Sequence, residues 1–199
     1  MNYCYTAIFG DYDQLHEPLI KSEGWEYVCF TDQNIKSDTY KIVQMQGNQL
    51  TSREIKWQPH YYLGYNHRNV WHDASIQVNC DLNNMPLNLI MKHPFNSNQL
   101  EEVDTCIKLK KDDLKRLAKA KEWVLNGHST GELFANGIQF RDGSVEYARL
   151  LDSVWFLVQK LTIRDQILFP YSLELSEIKP EIITWDEMFK HFIFKGHKK

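Results

Sequence analysis

Four short apolar runs near the start of this chain each stop abruptly at polar residues, and no other feature constrains the fold as much. Tyr3 to Phe9 stops at Gly10-Asp11, Glu26 to Phe30 at Thr31-Asp32, and Tyr40 to Met45 at Gly47-Asn48. The fourth, Asn69 to Trp71, delivers His72-Asp73-Ala74-Ser75. Runs this short, bounded by turn residues, read as buried strands. Helical patterns lie between and after them, and strands alternating with helices argue for an α/β fold. In an open α/β sheet, ligands sit beyond the carboxyl ends of the strands. The polar residues that end these runs are therefore the first candidates for function.

Thr51-Ser52-Arg53-Glu54 has the form of a capping box. It predicts a helix from Ser52 to about Gly64, bent or broken by Pro59. Arg53 and Lys56, three apart, share a face of that helix. Ser75 to Asn79 alternates like a strand with one wet face. Asn84 to Lys92 is ambiguous: Pro86 suits a helix start, and an apolar run follows it. Gln99 to Leu125 is the clearest helical region, with lysines on a solvated face. Gly127 to Gly131 reads as a loop and Ile138 to Arg141 as a short strand. Val145 to about Leu161 reads as a helix. Pro180 precedes the apolar Ile182-Ile183, and Trp185 to Phe194 is amphipathic.

At 199 residues the chain fits one domain, 1–199. A net charge of −3 argues against a general nucleic-acid binder, which would show a basic excess. Cys4, Cys29, Cys80 and Cys106 form no CxxC pair, and three of them sit in apolar runs. Buried thiols in a reducing compartment follow from that. No stretch has the length of a membrane span or the pattern of a signal peptide, so the expected location is the cytoplasm. The basic tail ending in Lys198-Lys199 reads as solvated.

Several residue sets carry possible chemistry. Asp73 at a strand end can hold a divalent cation, and through it phosphates; a plain strand-end carboxylate is the alternative. Gly10-Asp11-Tyr12-Asp13 lacks the spacing of a Rossmann turn or a P-loop, which disfavours a dinucleotide or ATP site of those types. It is either an Asp-rich turn or a ligand loop. Arg53 and Lys56 suit a pyrophosphate, or form a solvated helix face. In Arg164-Asp165-Gln166, Asp165 beside Arg164 stays ionised; it can accept from sugar hydroxyls, or simply start a helix. A metal on Asp73 needs further ligands, and His197 in the tail is the candidate.

Five blocks in order resemble one family. They are Tyr5 to Asp13, Tyr27 to Asp32, Arg53-x-x-Lys56-x-x-Pro59-His60, Trp71-x-Asp73-Ala74-Ser75, and Arg164-Asp165-Gln166. The family is the glycosyltransferase-like Domain of Unknown Function family 616, which includes plant mucilage and pollen proteins and many bacterial proteins. The resemblance spans about Tyr5 to Phe169 and implies a single-domain GT-A-like fold, a mixed, mostly parallel sheet flanked by helices. It also implies a nucleotide-diphospho-sugar donor and Mn²⁺ or Mg²⁺. On that basis the first strand, with Ala7 and Phe9, and the Gly10-Asp11 loop would line the nucleoside pocket with Asp32. Arg53 and Lys56 would face the phosphates. Arg164, Asp165 and Gln166 would approach the donor sugar, with Asp165 the first candidate for donor binding or for the catalytic base. Asp73 would take the place of the first acid of a DxD motif, and Ser75 stands where the second would be. His93 to Thr105 differs from the arginine- and glutamate-containing stretch of the family.

The expected activity is thus metal-assisted transfer of a sugar from a nucleotide diphosphate to a glycan or other acceptor. The rival from another class is a non-catalytic nucleotide-sugar or carbohydrate-binding module, which Ser75 favours. A metal-dependent phosphohydrolase fits poorly, because Asp73 has no neighbouring cluster of His or Asp.

Overall fold

The computed structural model describes residues 1–128 and 131–197. Ser129 and Thr130 of the expected loop, and the last two lysines of the tail, lie outside the described residues. The early apolar runs form the expected strands: β1 (Asn2–Ile8), β2 (Trp25–Thr31), β3 (Tyr40–Gln44) and β4 (Asn69–His72). β1 pairs in parallel with β2 and with β4, and β2 pairs in parallel with β3. Three more strands extend the sheet, β6 (Leu89–Lys92), β7 (Phe134–Arg141) and β8 (Glu181–Ile183). The order is β3-β2-β1-β4-β7-β6-β8. β7 is antiparallel to both of its neighbours, and β6 is parallel to β8. The fold is α/β, with one mixed, mostly parallel sheet that draws on most of the chain.

Successive side chains of a strand point to opposite faces, and β1 shows the result. Cys4 and Ile8 pack into one core with Val70, Phe140, Met188 and Phe192. Tyr5 and Ala7 pack on the other face with Val28, Phe30, Trp71 and Ile55. That second face carries α1 (Gln49–Trp57). Further along the sheet, a core containing Ile90 and Phe134 holds α3 (Gln99–Lys108), α4 (Leu114–Leu125), α5 (Val145–Lys160) and α6 (Asp165–Glu174). The first face is closed by α7 (Trp185–Met188) and by a small antiparallel pair, β5 (Ile76–Val78) with β9 (Phe192–Phe194). All four cysteines are buried with free thiols, as their apolar settings suggest. Among the described residues, no helix is long and apolar enough to cross a membrane.

The structure corrects several sequence expectations. The capping box belongs to Asn48, not Thr51. Asn48 Oδ1 accepts from the amides of Leu50 (2.8 Å) and Thr51 (3.2 Å), and Thr51 Oγ1 accepts from the Asn48 amide (3.2 Å). Asn at the N-cap competes well with Thr, so the helix starts at Gln49, one turn early. Pro59 breaks the helix rather than bending it: α1 ends at Trp57, and Pro59 opens a separate short helix, α2 (Pro59–Leu63). The predicted wet face of the Ser75–Asn79 strand is covered: Ile76, Gln77 and Val78 are all buried, and Gln77 Nε2 donates to the Glu17 carbonyl at 2.6 Å. Asn84–Lys92 resolves as a loop and strand β6, with Pro86 ahead of the strand. The long helix over Gln99–Leu125 is two helices. Lys110 takes a left-handed φ of 51°, and Asp113 caps α4 through the amides of Lys115 and Arg116. The strand expected at Ile138–Arg141 begins earlier, at Phe134.

Candidate functional site

The strand order reverses direction between β1 and β4: β2 and β3 lie on one side of β1, and β4 lies on the other. Such a switch point opens a crevice at the carboxyl ends of the strands. A cleft of about 680 Å³ sits there. Ala7, Ile8 and Phe9 line it from the end of β1, Tyr12 and Asp13 from the following loop, and Trp71, Asp73 and Ala74 from the end of β4. Gln49, Ser52 and Arg53 of α1 contribute, as do Lys111, Arg164 and His197.

Asp73 is held in place from two sides. Trp71 Nε1 donates to its Oδ1 at 3.0 Å, and its amide donates to the Gly137 carbonyl at 2.8 Å. Gly137 matters because a Cβ there would stand 3.2 Å from Asp73 Oδ2. The neighbouring His72 is buried against Tyr40 Oη, with 3.0 Å between Oη and Nε2; burial lowers its pKa to about 4, so the ring is neutral.

The cationic side of the cleft comes from three segments. Arg53 Nε donates to the Ile163 carbonyl at 3.3 Å, which ties α1 to the segment ahead of α6. Arg164 donates through Nη2 to Gln166 Oε1 at 3.1 Å and lies 4.0 Å from Glu102 Oε1. Burial lowers the Arg164 pKa, but Cys106, Asp165 and Glu102 outweigh it, so the net shift is upward and the guanidinium stays charged. Lys111 sits in the turn between α3 and α4. The next residue, Asp112, accepts from Thr162 Oγ1 (2.6 Å) and the Ile163 amide (2.9 Å). The turn that carries Lys111 is thereby fixed to the segment that carries Arg164.

Beneath these cations lies a buried polar chain. Asp165, at the start of α6, is 4% exposed. Its Oδ2 accepts from Lys56 Nζ at 2.7 Å and Trp57 Nε1 at 2.9 Å, and Arg53 Nε lies 3.8 Å away. Its Oδ1 accepts from Asn136 Nδ2 at 3.5 Å. Asn136 is held by Gln139 (2.9 Å), Gln139 by Arg141 (2.6 Å), and Arg141 also donates to the Lys56 carbonyl (2.7 Å). Burial would raise the Asp165 carboxyl, but Lys56, Arg53 and Arg164 together hold it far below the usual carboxylate range. Burial lowers the Lys56 pKa, and Asp165 and Asp73 oppose that shift.

Of the residues singled out from sequence, Ala7, Phe9, Arg53, Asp73, Arg164 and His197 line the cleft. Lys56, expected to face phosphates, is instead buried under the wall against Asp165. Asp165 and Gln166 also stand behind the wall, Gln166 as the acceptor for Arg164. Gly10 and Asp11 form an exposed turn beside the cleft, and Asp32 braces that turn: its two oxygens accept from the Gly10 amide at 3.1 and 3.2 Å. Ser75 is buried, and its carbonyl accepts from the Lys195 amide at 2.8 Å. His197 meets Asp13, with 2.8 Å between Nδ1 and Oδ1, and its ring lies 4.5 Å from that of Tyr12.

Sequence reasoning missed Lys111, Ser52, Gln49 and Trp71 as cleft residues, and the whole chain from Asn136 to Arg141. One signal was present. Three polar side chains in an eight-residue strand, Asn136, Gln139 and Arg141, cannot all face water in the middle of a sheet.

Among the described residues, no three His, Cys, Asp or Glu side chains gather as a metal cluster. The metal-ligating side chains that line the cleft are the carboxylates of Asp13 and Asp73 and the imidazole of His197, whose Nδ1 lies 2.8 Å from Asp13 Oδ1. Carboxylate oxygens suit Mg²⁺ or Mn²⁺ held mainly by a phosphate ligand and water, which needs only one or two carboxylates.

The chain matches no model of a known protein family and no curated protein sequence.

Proposed function

We propose that the cleft binds a nucleotide-diphospho-sugar and that the protein transfers the sugar to a glycan or other acceptor. The observation that carries this reading is the convergence of Asp73 with Arg53, Arg164 and Lys111 in one cleft at the β1/β4 switch point. A diphosphate brings close anionic oxygens, which guanidinium forks and an ammonium match well. Phe9 and Tyr12 offer aromatic faces for the base or ribose. A divalent cation held by Asp73 would neutralise charge on the departing diphosphate. The arginines and Lys111 would do the same from the protein side, as preorganised charges aimed at developing negative charge. The GT-A-like identity of the fold, suggested by the sequence blocks, belongs to this same proposal.

Calorimetric titration of UDP and GDP, with Mn²⁺ or with EDTA, tests the binding step. Binding strengthened by Mn²⁺ is expected. No binding of either nucleotide at millimolar concentration, with or without metal, would sink the reading.

One observation favours a binding module without turnover. Asp165, the expected base, is fully engaged by Lys56 and Trp57, and Asp13 is paired with His197. Release of UDP from a donor sugar in the presence of candidate acceptors separates the two readings, since a binding module releases none.

A further inference from the structure

We infer that Asp165 is a positioning residue, which fixes Arg53 at the cleft wall from beneath and makes no contact with the ligand. The inference rests on the reading of the cleft as a phosphate site.

Three positively charged side chains converge here. Lys56 touches the Asp165 carboxylate at 2.7 Å, Arg53 approaches it at 3.8 Å, and Arg164 is its neighbour in the chain. Like charges this close repel strongly where water is scarce, so the arrangement needs a counter-charge at its centre. Asp165 supplies it. The carboxylate is itself oriented by the Trp57 indole at 2.9 Å and by Asn136 at 3.5 Å, with the chain through Gln139 to Arg141 behind Asn136. Arg141 returns to the Lys56 carbonyl, so the network closes on itself. A carboxylate with these donors, almost out of contact with solvent, is poorly placed to take a proton from an acceptor hydroxyl. It is well placed to keep the Arg53 guanidinium in a fixed direction. Arg53 comes from α1 and Asp165 from α6, so the ion pair at 3.8 Å sets Arg53 against an element far away in sequence, beside Arg164, which Gln166 and Glu102 hold. An arginine held in advance loses less freedom on gripping phosphate, which is how a buried acid with no ligand contact can raise affinity.

The experiment compares UDP with uridine as probes of the intact chain. Asp165→Asn should lose at least about tenfold in UDP affinity, as for a lost charge-assisted hydrogen bond, with uridine affinity within about twofold. Its thermal stability should fall too, because Lys56 is left buried and unpaired. The double variant Lys56→Met/Asp165→Asn separates the two effects. Replacing a buried ion pair by neutral groups of similar volume restores stability in many proteins. Here melting should recover while UDP binding stays weak. Trp57→Phe keeps the bulk and removes only the indole donor, and should weaken UDP about threefold with uridine unchanged. Recovery of stability and UDP affinity together in the double variant would overturn the inference and make Asp165 purely structural. So would Trp57→Phe or Asp165→Asn with unaltered UDP affinity. No UDP binding by the unsubstituted protein would instead overturn the phosphate reading itself, and this inference with it.

Discussion

Trp71 donates its indole N–H to Oδ1 of Asp73 at 3.0 Å, so strand β4 orients the carboxylate that ends it. Trp71 is on β4 and Asp73 is the residue that follows the strand, next but one in the chain. Both residues line the cleft. The indole leaves Oδ2 as the oxygen turned towards Gly137.

Trp71→Phe should therefore uncouple the cation from the nucleotide. The ring's bulk stays and the donor goes. A hydrogen bond to a charged group contributes about 1.5–3 kcal/mol, so the gain in UDP affinity from adding Mn²⁺ should shrink roughly tenfold. The ratio of UDP affinities with Mn²⁺ and with EDTA measures it. An unchanged ratio would mean that the indole bond plays no part in holding the cation.

Arg53→Ala should weaken UDP by about 1.5–3 kcal/mol and uridine much less, since the guanidinium serves the phosphates. Parallel titrations of the two ligands decide the matter. Equal losses would mean that Arg53 acts only as a strut from α1 to the Ile163 carbonyl.

Acid stability should carry the mark of Asp165. Its carboxyl is depressed in the folded state, so the unfolded chain takes up this proton first as pH falls. Stability from this group is therefore present above the ordinary aspartate value of about 3.9 and is lost on the way down to the lower folded pKa. Urea midpoints measured from about pH 5 downward should fall more steeply in the unsubstituted protein than in Lys56→Met/Asp165→Asn. Parallel curves would mean that the pair contributes nothing there.

The left half of the sheet was legible because β1 to β4 are short, largely apolar runs closed by Gly, Asp or Asn, which run length and turn chemistry both read. The right half was not. β6 is a four-residue strand behind a proline, and its apolar run fits a helix equally well. The break at Lys110 hides inside a lysine-rich helical pattern, where only Asp113 as a cap marks the new start. At the site, residues that end strands could be found: Asp73 and Phe9 are where the runs stop. Depth could not. Arg53 and Lys56 look alike in sequence, three apart on one helix, yet one lines the cleft and the other is buried under it. The difference is set by Asp165, more than a hundred residues away. Lys111 was invisible because the turn that presents it is fixed by Asp112 bonding to Thr162 and Ile163.

The pairing of β9 with β5 has a consequence in time as well as in space. It locks the residues directly after Asp73 to the segment that leads to His197, which in turn leans on Tyr12 and Asp13. One rim of the cleft is thus stitched from three stretches that are remote in the chain. Contacts of such wide separation are slow to form. This rim should be among the last parts to assemble and the first to open. A seated nucleotide would couple those openings, so amide hydrogens at Asp13 and Ile193 should slow their exchange together.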